Sequence, residues 1–310
     1  MKARRRLLVP LVGLVLVLAV IGIVSPASLA PVSFLASTKN AAYLGVVAIG
    51  QTLVMLTGGI DMSLYETIAL TNIFTANFMH ANLLSIVSVT LLAIVLAAAI
   101  GLVNGTMIAK TGIPPIIMTI AMGFAIRGSY LVMTKGAPRG NVPEILRYIG
   151  RGRLFDLVPI ATLVWLALSF VAILLLRRTA AGRAVYYTGS NPIAARLSGI
   201  STDWTIILTY VASSVFAALS GLLISGFIGS GTLDAGVDYM LSPIAASVIG
   251  GTTFAGGAGG IGGTIIGTLI MRNVDNLMTI LRTGHAGKLI VQGAIIGGIA
   301  TLYSLQKPSK

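Results

Sequence analysis

The chain has 310 residues, 56% hydrophobic and only 9% charged, where a water-soluble domain carries about a quarter charged residues. Its 21 Lys and Arg and 8 Asp and Glu are too few to clothe a water-facing surface of this size, and so apolar a chain is not a disordered one. The lack of Cys excludes disulfides, thiolate metal sites and thiol nucleophiles, which leaves an all-α polytopic membrane protein whose 37 Gly suit close helix packing.

A spanning helix needs roughly 20 mostly apolar residues. About ten segments qualify as candidates: 7–24, 42–60, 63–80, 85–109, 115–134, 158–176, 205–227, 243–254, 262–281 and 288–305. The opening MKARRR, its apolar run and Ser-Leu-Ala at 28–30 mimic a secretory signal, but the length of the run favours a retained first helix. Segment 243–254 is short and a Gly-rich run, 256–263, follows it. The region 243–263 therefore reads as a half-helix or a re-entrant piece, tolerated only when buried in protein. Residues 1–310 form one transmembrane domain in this reading.

Lys and Arg favour the cytoplasmic side. With the N-terminus inside, the inner segments hold eleven of them and the outer loops eight, with Arg127 and Arg272 inside spans. This orientation makes 178–203 a cytoplasmic loop and 135–157 a basic periplasmic loop that runs against the rule. The positive charges are scattered between spans, so the contiguous patch that nucleic acid requires is missing.

The first polar punctuation is GQTLVMLTGGIDMS at 50–63. Asp61 lies where two apolar segments meet with almost no loop, and ionisable groups at such places usually face a protein interior or a cavity. The competing role is a cap on the next helix, with Gly58-Gly59 freeing the turn. Glu66 reads either as a second interior carboxylate or, preferably, as a first-turn Glu favoured by the helix dipole. Gln51, Thr57, Asp61, Asn104, Thr119, Arg127, Asn276 and Gln292 are candidate pathway groups, each with the rival role of bonding a neighbouring helix. Arg127 has Asp61 or Asp275 as expected partners. Asn104 with Gly112 and Asn276 with Gly284 share one spacing on spans of opposite direction, the pattern of an inverted five-plus-five repeat.

The second informative stretch is RRTAAGRAVYYTGSNPIAARLSGI at 177–200. Asn191 as N-cap, Pro192 at the first position and Gly199 past the end define a short helix up to Leu197. Ala194 and Ala195 would give it a small flat face. The helix is too short and too weakly apolar to hold lipid well, so docking into a partner's groove is the better reading.

From end to end the chain resembles the membrane subunit of bacterial ABC importers for simple sugars, the ribose, xylose and autoinducer-2 type. The resemblance rests on GQTLVMLTGGIDMS at 50–63, VNG at 103–105 with TGIPPIIMT at 111–119, Arg127-Gly128, RTAAGRAVYYTGSNPIAARLSGI at 178–200 and IAASVIGGTTFAGGAGGIGGT at 244–264. It implies a second permease chain, like or unlike, two cytoplasmic ATPase modules carrying ATP and Mg, and a periplasmic sugar-binding protein. ATPase coupling then falls to Gly182, Arg183, Asn191, Pro192, Ala194, Ala195, Arg196 and Gly199. Two departures stand out: Leu64-Tyr65-Glu66 replaces the family's Val-Gly-Ser, and Leu241-Ser242-Pro243 its Leu-Asp-Ala.

No Walker A pattern occurs, and the run 256–263 lacks the following Lys that would pair with a phosphate. ATP hydrolysis is thus expected on another chain, with no cofactor on this one. The basic outer loop fits steering of an acidic binding protein, through Arg139, Arg147, Arg151 and Arg153. With two separated histidines, His80 and His285, no metal site and no catalytic group are expected. The rival functions are an ion- or proton-coupled secondary transporter or channel, relaying through Asp61, Glu66, Arg127 and Asp275, and, well behind it, an intramembrane enzyme.

Overall fold

The computed structural model describes residues 2–305. Helix α1 (Lys2–Val24) leads through a 3-10 turn, Pro26–Leu29, into α2 (Pro31–Leu56). Pro31 sits at the first helical position, where its missing N–H has no partner to lose. After the non-helical stretch 57–63 come α3 (Leu64–Phe78), α4 (Leu83–Thr111) and α5 (Pro115–Thr134). The short α6 (Glu144–Arg151) and an antiparallel pair, β1 (Arg153–Leu154) with β2 (Val158–Pro159), precede α7 (Ile160–Arg178). Then follow α8 (Ala180–Ser190), α9 (Pro192–Leu197), α10 (Thr202–Ile228), α11 (Ser242–Ile249), α12 (Ile261–Ile280) and α13 (Gly284–Leu305).

Five helices, α2, α4, α5, α7 and α10, are long and apolar enough to cross a bilayer. Helices α1, α12 and α13 have 23, 20 and 22 residues. Two expected spans come out short. Helix α3 has 15 residues, about 22 Å at the α-helical rise, and α11 has 8, against a hydrocarbon core of about 30 Å. Each lies beside irregular backbone that glycines make affordable, 57–63 before α3 and 250–260 after α11. That backbone is mostly half-buried, with Gly58 and Ala255 exposed and Gly59, Asp61, Ser63, Gly250 and Thr252 buried.

Helix α10 is the hub and packs on α2, α3, α4 and α6. Its closest approach is to α4, where the buried Ala93, Ala97, Gly101 and Gly105 recur every fourth residue on one face. A Cβ on Gly101 would overlap the backbone of Tyr210 and Val211, and one on Gly105 the backbone of Ile207. Small residues in this spacing let backbones touch, which is how helices associate when lipid removes the hydrophobic drive.

Hydrogen bonds sort the connections into two ends of the bundle. At one end the Gly257 N–H donates to Leu56 O at 2.8 Å, Tyr186 donates to Gly259 O at 3.2 Å, and Lys110 reaches Asp203 at 3.1 Å. Stretches 57–63, 112–114, 179–201 and 250–260 therefore share that end. At the other, the Val142 N–H donates to Gly229 O at 3.0 Å, and Lys39 stands 4.7 Å over the Phe227 ring. Packing is also reciprocal: α10 meets α4 and α3 as α2 meets α12 and α11, and α5 lies on α3 and α4 as α13 lies on α11 and α12. Helices α1 and α7 break this pattern, α1 lying on α12 and α7 on α2.

Candidate functional site

The stretch 57–63 turns back into the bundle. Gly58 takes φ +83°, and a Cβ on Gly59 would collide with the Tyr210 hydroxyl. Thr57 is occupied locally, donating to Val54 O at 2.8 Å. Asp61 is 2% exposed, and its Oδ1 accepts from the Ser63 N–H at 3.0 Å and the Ser63 hydroxyl at 2.6 Å. This is a local Asx turn, which corrects the helix-cap reading; Ser63 is the N-cap of α3 and makes no side-chain cap bond. Asn104 of α4 donates to Ser63 Oγ at 3.0 Å, and Thr119 of α5 accepts from the Met62 N–H at 3.0 Å.

Asp61, Asn104 and Thr119 thus converge on one link, held by α4 and α5 from two sides. Asp61 Oδ2, Asn104 Oδ1 and both polar side-chain atoms of Gln51 are buried with no hydrogen-bond partner among the described residues. Unmet polar atoms in an interior call for water or a solute hydroxyl. Asn276 takes no part; it is half-buried on α12, and Gln292 instead bonds Ser242 Oγ at 3.1 Å and Asp275 Oδ1 at 3.4 Å.

Arg127 pairs with neither expected carboxylate. Its Nη1 lies 3.4 Å from Glu66 Oε1, and Tyr130 donates to Glu66 Oε2 at 2.5 Å. Residues 127 and 130 share a face of α5 by helical periodicity, and Glu66 sits in the first turn of α3. Both roles weighed for Glu66 are therefore filled, dipole position and interior carboxylate. The sequence signal for Tyr130 was its i+3 spacing from Arg127. Removing the half-exposed Arg127 leaves the charge of the buried Glu66 without its counter-ion, whereas Glu66→Gln leaves a neutral group still within reach of Tyr130. Arg127→Met is expected to cost about 2 kcal/mol and Glu66→Gln about 1 kcal/mol. Thermal unfolding in detergent checks the order, and equal losses would refute the pairing as the source.

At the end that carries 57–63, α8 and α9 build a projecting elbow. Thr179 caps α8 by accepting from the Gly182 N–H at 3.0 Å, and Asn191 caps α9 by accepting from the Ala194 N–H at 3.0 Å. Pro192 stands at the first position and Gly199, with φ +79°, follows the end. Gly182 is buried so close to the Leu176 backbone that a Cβ there would overlap it, and Arg183 is exposed. Burial pushes the Tyr186 hydroxyl above the usual phenol range as it anchors α8 to Gly259.

The flat alanine face needs correction. Ala194 is exposed but Ala195 is buried, while Ile193 and Leu197, four residues apart, are 74% and 86% exposed. Arg196 is held by its own chain, donating to Thr202 Oγ1 and to Asp203 Oδ1, both at 2.8 Å.

The basic loop at the opposite end is partly structural. Arg147 donates to Gly229 O at 3.0 Å, satisfying the backbone just past α10, and Arg151 lies 3.5 Å from Glu144. Arg139, Arg151 and Arg153 remain exposed. Helix α6 packs on α10 through Gly150 and Gly226, too close for a Cβ on either.

A family model described as "Branched-chain amino acid transport system / permease component" matches residues 33–300. The ribose import permease protein of Escherichia coli (strain K12) is 32% identical over 292 residues, 92% of this chain and 90% of that protein. That of Bacillus subtilis (strain 168) is 33% identical over 291 residues, 93% of this chain and 89% of the relative. The autoinducer 2 import system permease protein of Yersinia pseudotuberculosis (serotype O:3, strain YPIII) is 30% identical over 289 residues, 93% and 82% of the two chains. No solved structure matches the chain. A match over nearly the whole helical bundle, from within α2 to within α13, makes this chain a member of that transport-system permease family.

Proposed function

We propose that the chain is the permease subunit of an ATP-driven importer. It passes a monosaccharide or similar small polyol from a periplasmic binding protein across the bacterial inner membrane. The observation that carries this reading is the elbow: a capped, rigid α9 presenting Ile193 and Leu197 at one end of the bundle. The named cargo of the relatives supports the sugar. Uncharged acceptors and donors around 57–63 suit hydroxyl groups, and binding there must stay weak enough for release.

In this reading the elbow and the N-terminus are cytoplasmic, and ATP with Mg binds on two partner ATPase modules. Residues 178–203 couple, and the exposed Arg139, Arg151 and Arg153 in 135–157 orient the binding protein. Helices α1 to α5 and α7 with α10 to α13 form an inverted repeat; the reciprocal packing of α2 to α5 and α10 to α13 supports it, while α1 and α7 stand outside that packing. Thr111 and Pro115, the facing ends of α4 and α5, each stand 169 residues before Ile280 and Gly284, their counterparts on α12 and α13. That register matches Asn104 with Asn273 rather than with Asn276. A second permease chain belongs against α5, because the Arg127 side chain is 47% exposed midway along a spanning helix, where lipid contact is costly.

Cysteine labelling at Ser198 tests the orientation. Ser198→Cys is expected to react with an impermeant maleimide only in inverted membrane vesicles, and labelling from the periplasm would overturn the reading. Uptake driven by a proton gradient without any ATPase would favour the ion-coupled alternative.

A further inference from the structure

The two glycine-bearing breaks, 57–63 and 250–260, meet at the backbone hydrogen bond from the Gly257 N–H to Leu56 O, 2.8 Å long. Leu56 ends α2, so this bond ties the start of one break to the middle of the other. The last turn of α8 lies directly on it. A Cβ on Gly189 would overlap Leu56 O and stand 2.5 Å from the Gly257 nitrogen. A Cβ on Gly256 would stand 2.8 Å from the Gly58 nitrogen and 3.0 Å from Gly189 O, and one on Gly257 2.7 Å from the Ser190 nitrogen. Three stretches, 56–58, 189–190 and 256–257, therefore touch backbone to backbone. Tyr186, one turn earlier in α8, holds a later part of the second break by donating to Gly259 O at 3.2 Å.

The joint is connected as closely to the elbow. Asn191 is the sole residue between α8 and α9. Its N–H donates to Tyr187 O at 3.1 Å and its side chain caps α9. The exposed Ile193 follows Gly189 by four residues. One residue, bonded on both sides, leaves no slack to absorb a displacement of α9, so the last turn of α8 receives it. One break lies in each of the two sets of helices that pack reciprocally, between α2 and α3 and between α11 and α12.

On the importer reading above, we propose that Gly189 is the positioning residue of the coupling step. Its missing side chain seats the end of α8 on the joint between Leu56 and Gly257, so that one movement of the elbow reaches both breaks together. A side chain at 189 lifts α8 from the joint and frees the breaks from the elbow. Helix α8 also packs on α7 and α10, which keeps the elbow anchored when that seat is lost. The Tyr186 hydroxyl does the same for the second break alone.

The test uses the full chain purified from its native host with the ATPase that it captures, with and without vanadate trapping of Mg-ATP. Hydrogen–deuterium exchange reads the amides of 57–63 and 250–260. In the wild-type complex, trapping is expected to change exchange in both breaks. Gly189→Ala is expected to keep ATPase capture and hydrolysis, since Ile193 and Leu197 are untouched. Its response in both breaks should fall about tenfold, the scale on which residues between two sites modulate their coupling. Tyr186→Phe adds no volume and keeps the ring, so it decides the matter should Gly189→Ala fail to fold. It is expected to lose the response in 250–260 and to keep that in 57–63. A purely structural defect would instead lower capture and raise exchange with or without nucleotide, and that result would overturn the proposal. An undiminished response in the variants would overturn it too, as would a wild-type response confined to one break. A wild-type chain that captures no ATPase would overturn the importer reading itself.

Discussion

Replacing Ile193 and Leu197 together by Glu is expected to abolish capture of the ATPase and sugar-stimulated ATP hydrolysis. Both side chains leave one face of α9, are 74% and 86% exposed, and touch no core. The caps that hold α9 in shape, Asn191, Pro192 and Gly199, are untouched. Membrane insertion and thermal stability should therefore stay level. Apolar anchors in a docking pocket contribute on the order of 2 kcal/mol or more each, so the pair should weaken capture by roughly a thousandfold once two carboxylates are also desolvated. Co-purification and vesicle uptake measure this, and unchanged uptake would remove α9 as the coupling surface. Ala195→Glu, which sequence reasoning would choose, is a poorer probe. Ala195 is buried, and a carboxylate forced there disturbs the elbow before any partner arrives.

The second large effect belongs to Gly101. Gly101→Val is expected to cost about 3 kcal/mol or more, because the new side chain must displace the backbone of Tyr210 and Val211 rather than a movable side chain. Separating α4 from α10 would also pull Asn104 from Ser63 and Tyr210 from Gly59, so transport should fall with stability. Gly262→Ala, where an added Cβ meets nothing within 4 Å, is the matched control and should change neither. Detergent-solubilised unfolding and uptake would report both. A stable, active Gly101→Val protein would show that α4 and α10 need not touch.

Local chemistry was legible in the sequence. The α9 caps, the brevity of the 243–254 segment and the kinship to sugar permeases all followed from short motifs, where a few adjacent residues carry the signal. What failed to show was orientation. A membrane helix is apolar on most sides, so its pattern does not say which face meets protein; Ala194 and Ala195 looked alike, yet only Ala195 turns inward. The pairing of Glu66 with Arg127 and Tyr130 joins residues more than 60 positions apart and depends on how α3 and α5 cross. Helix α8 was read as a polar loop because its apolar residues, Val185 and Tyr186, are sparse. Val185 is buried and Tyr186 half-buried because α8 packs on α10 and α7 and Tyr186 reaches Gly259, which no local pattern announces. By sequence Arg147 is a free surface charge; in the fold it adds a second hydrogen bond to the Gly229 carbonyl, which already accepts from the Val142 N–H.

The triplet of Lys110, Asp203 and Arg196 joins the last turn of α4, the first turn of α10 and the tail of α9. Each exposed ion pair adds little to stability, but together they fix the elbow to two helices whose backbones already touch. A push delivered at Ile193 and Leu197 therefore meets a stiff slab, not a hinge, and should emerge at the far face as rigid tilting of both helices. The two glycine-bearing breaks, 57–63 and 250–260, lie at that same end, so such a push would enter the bundle directly beside the Asp61 link.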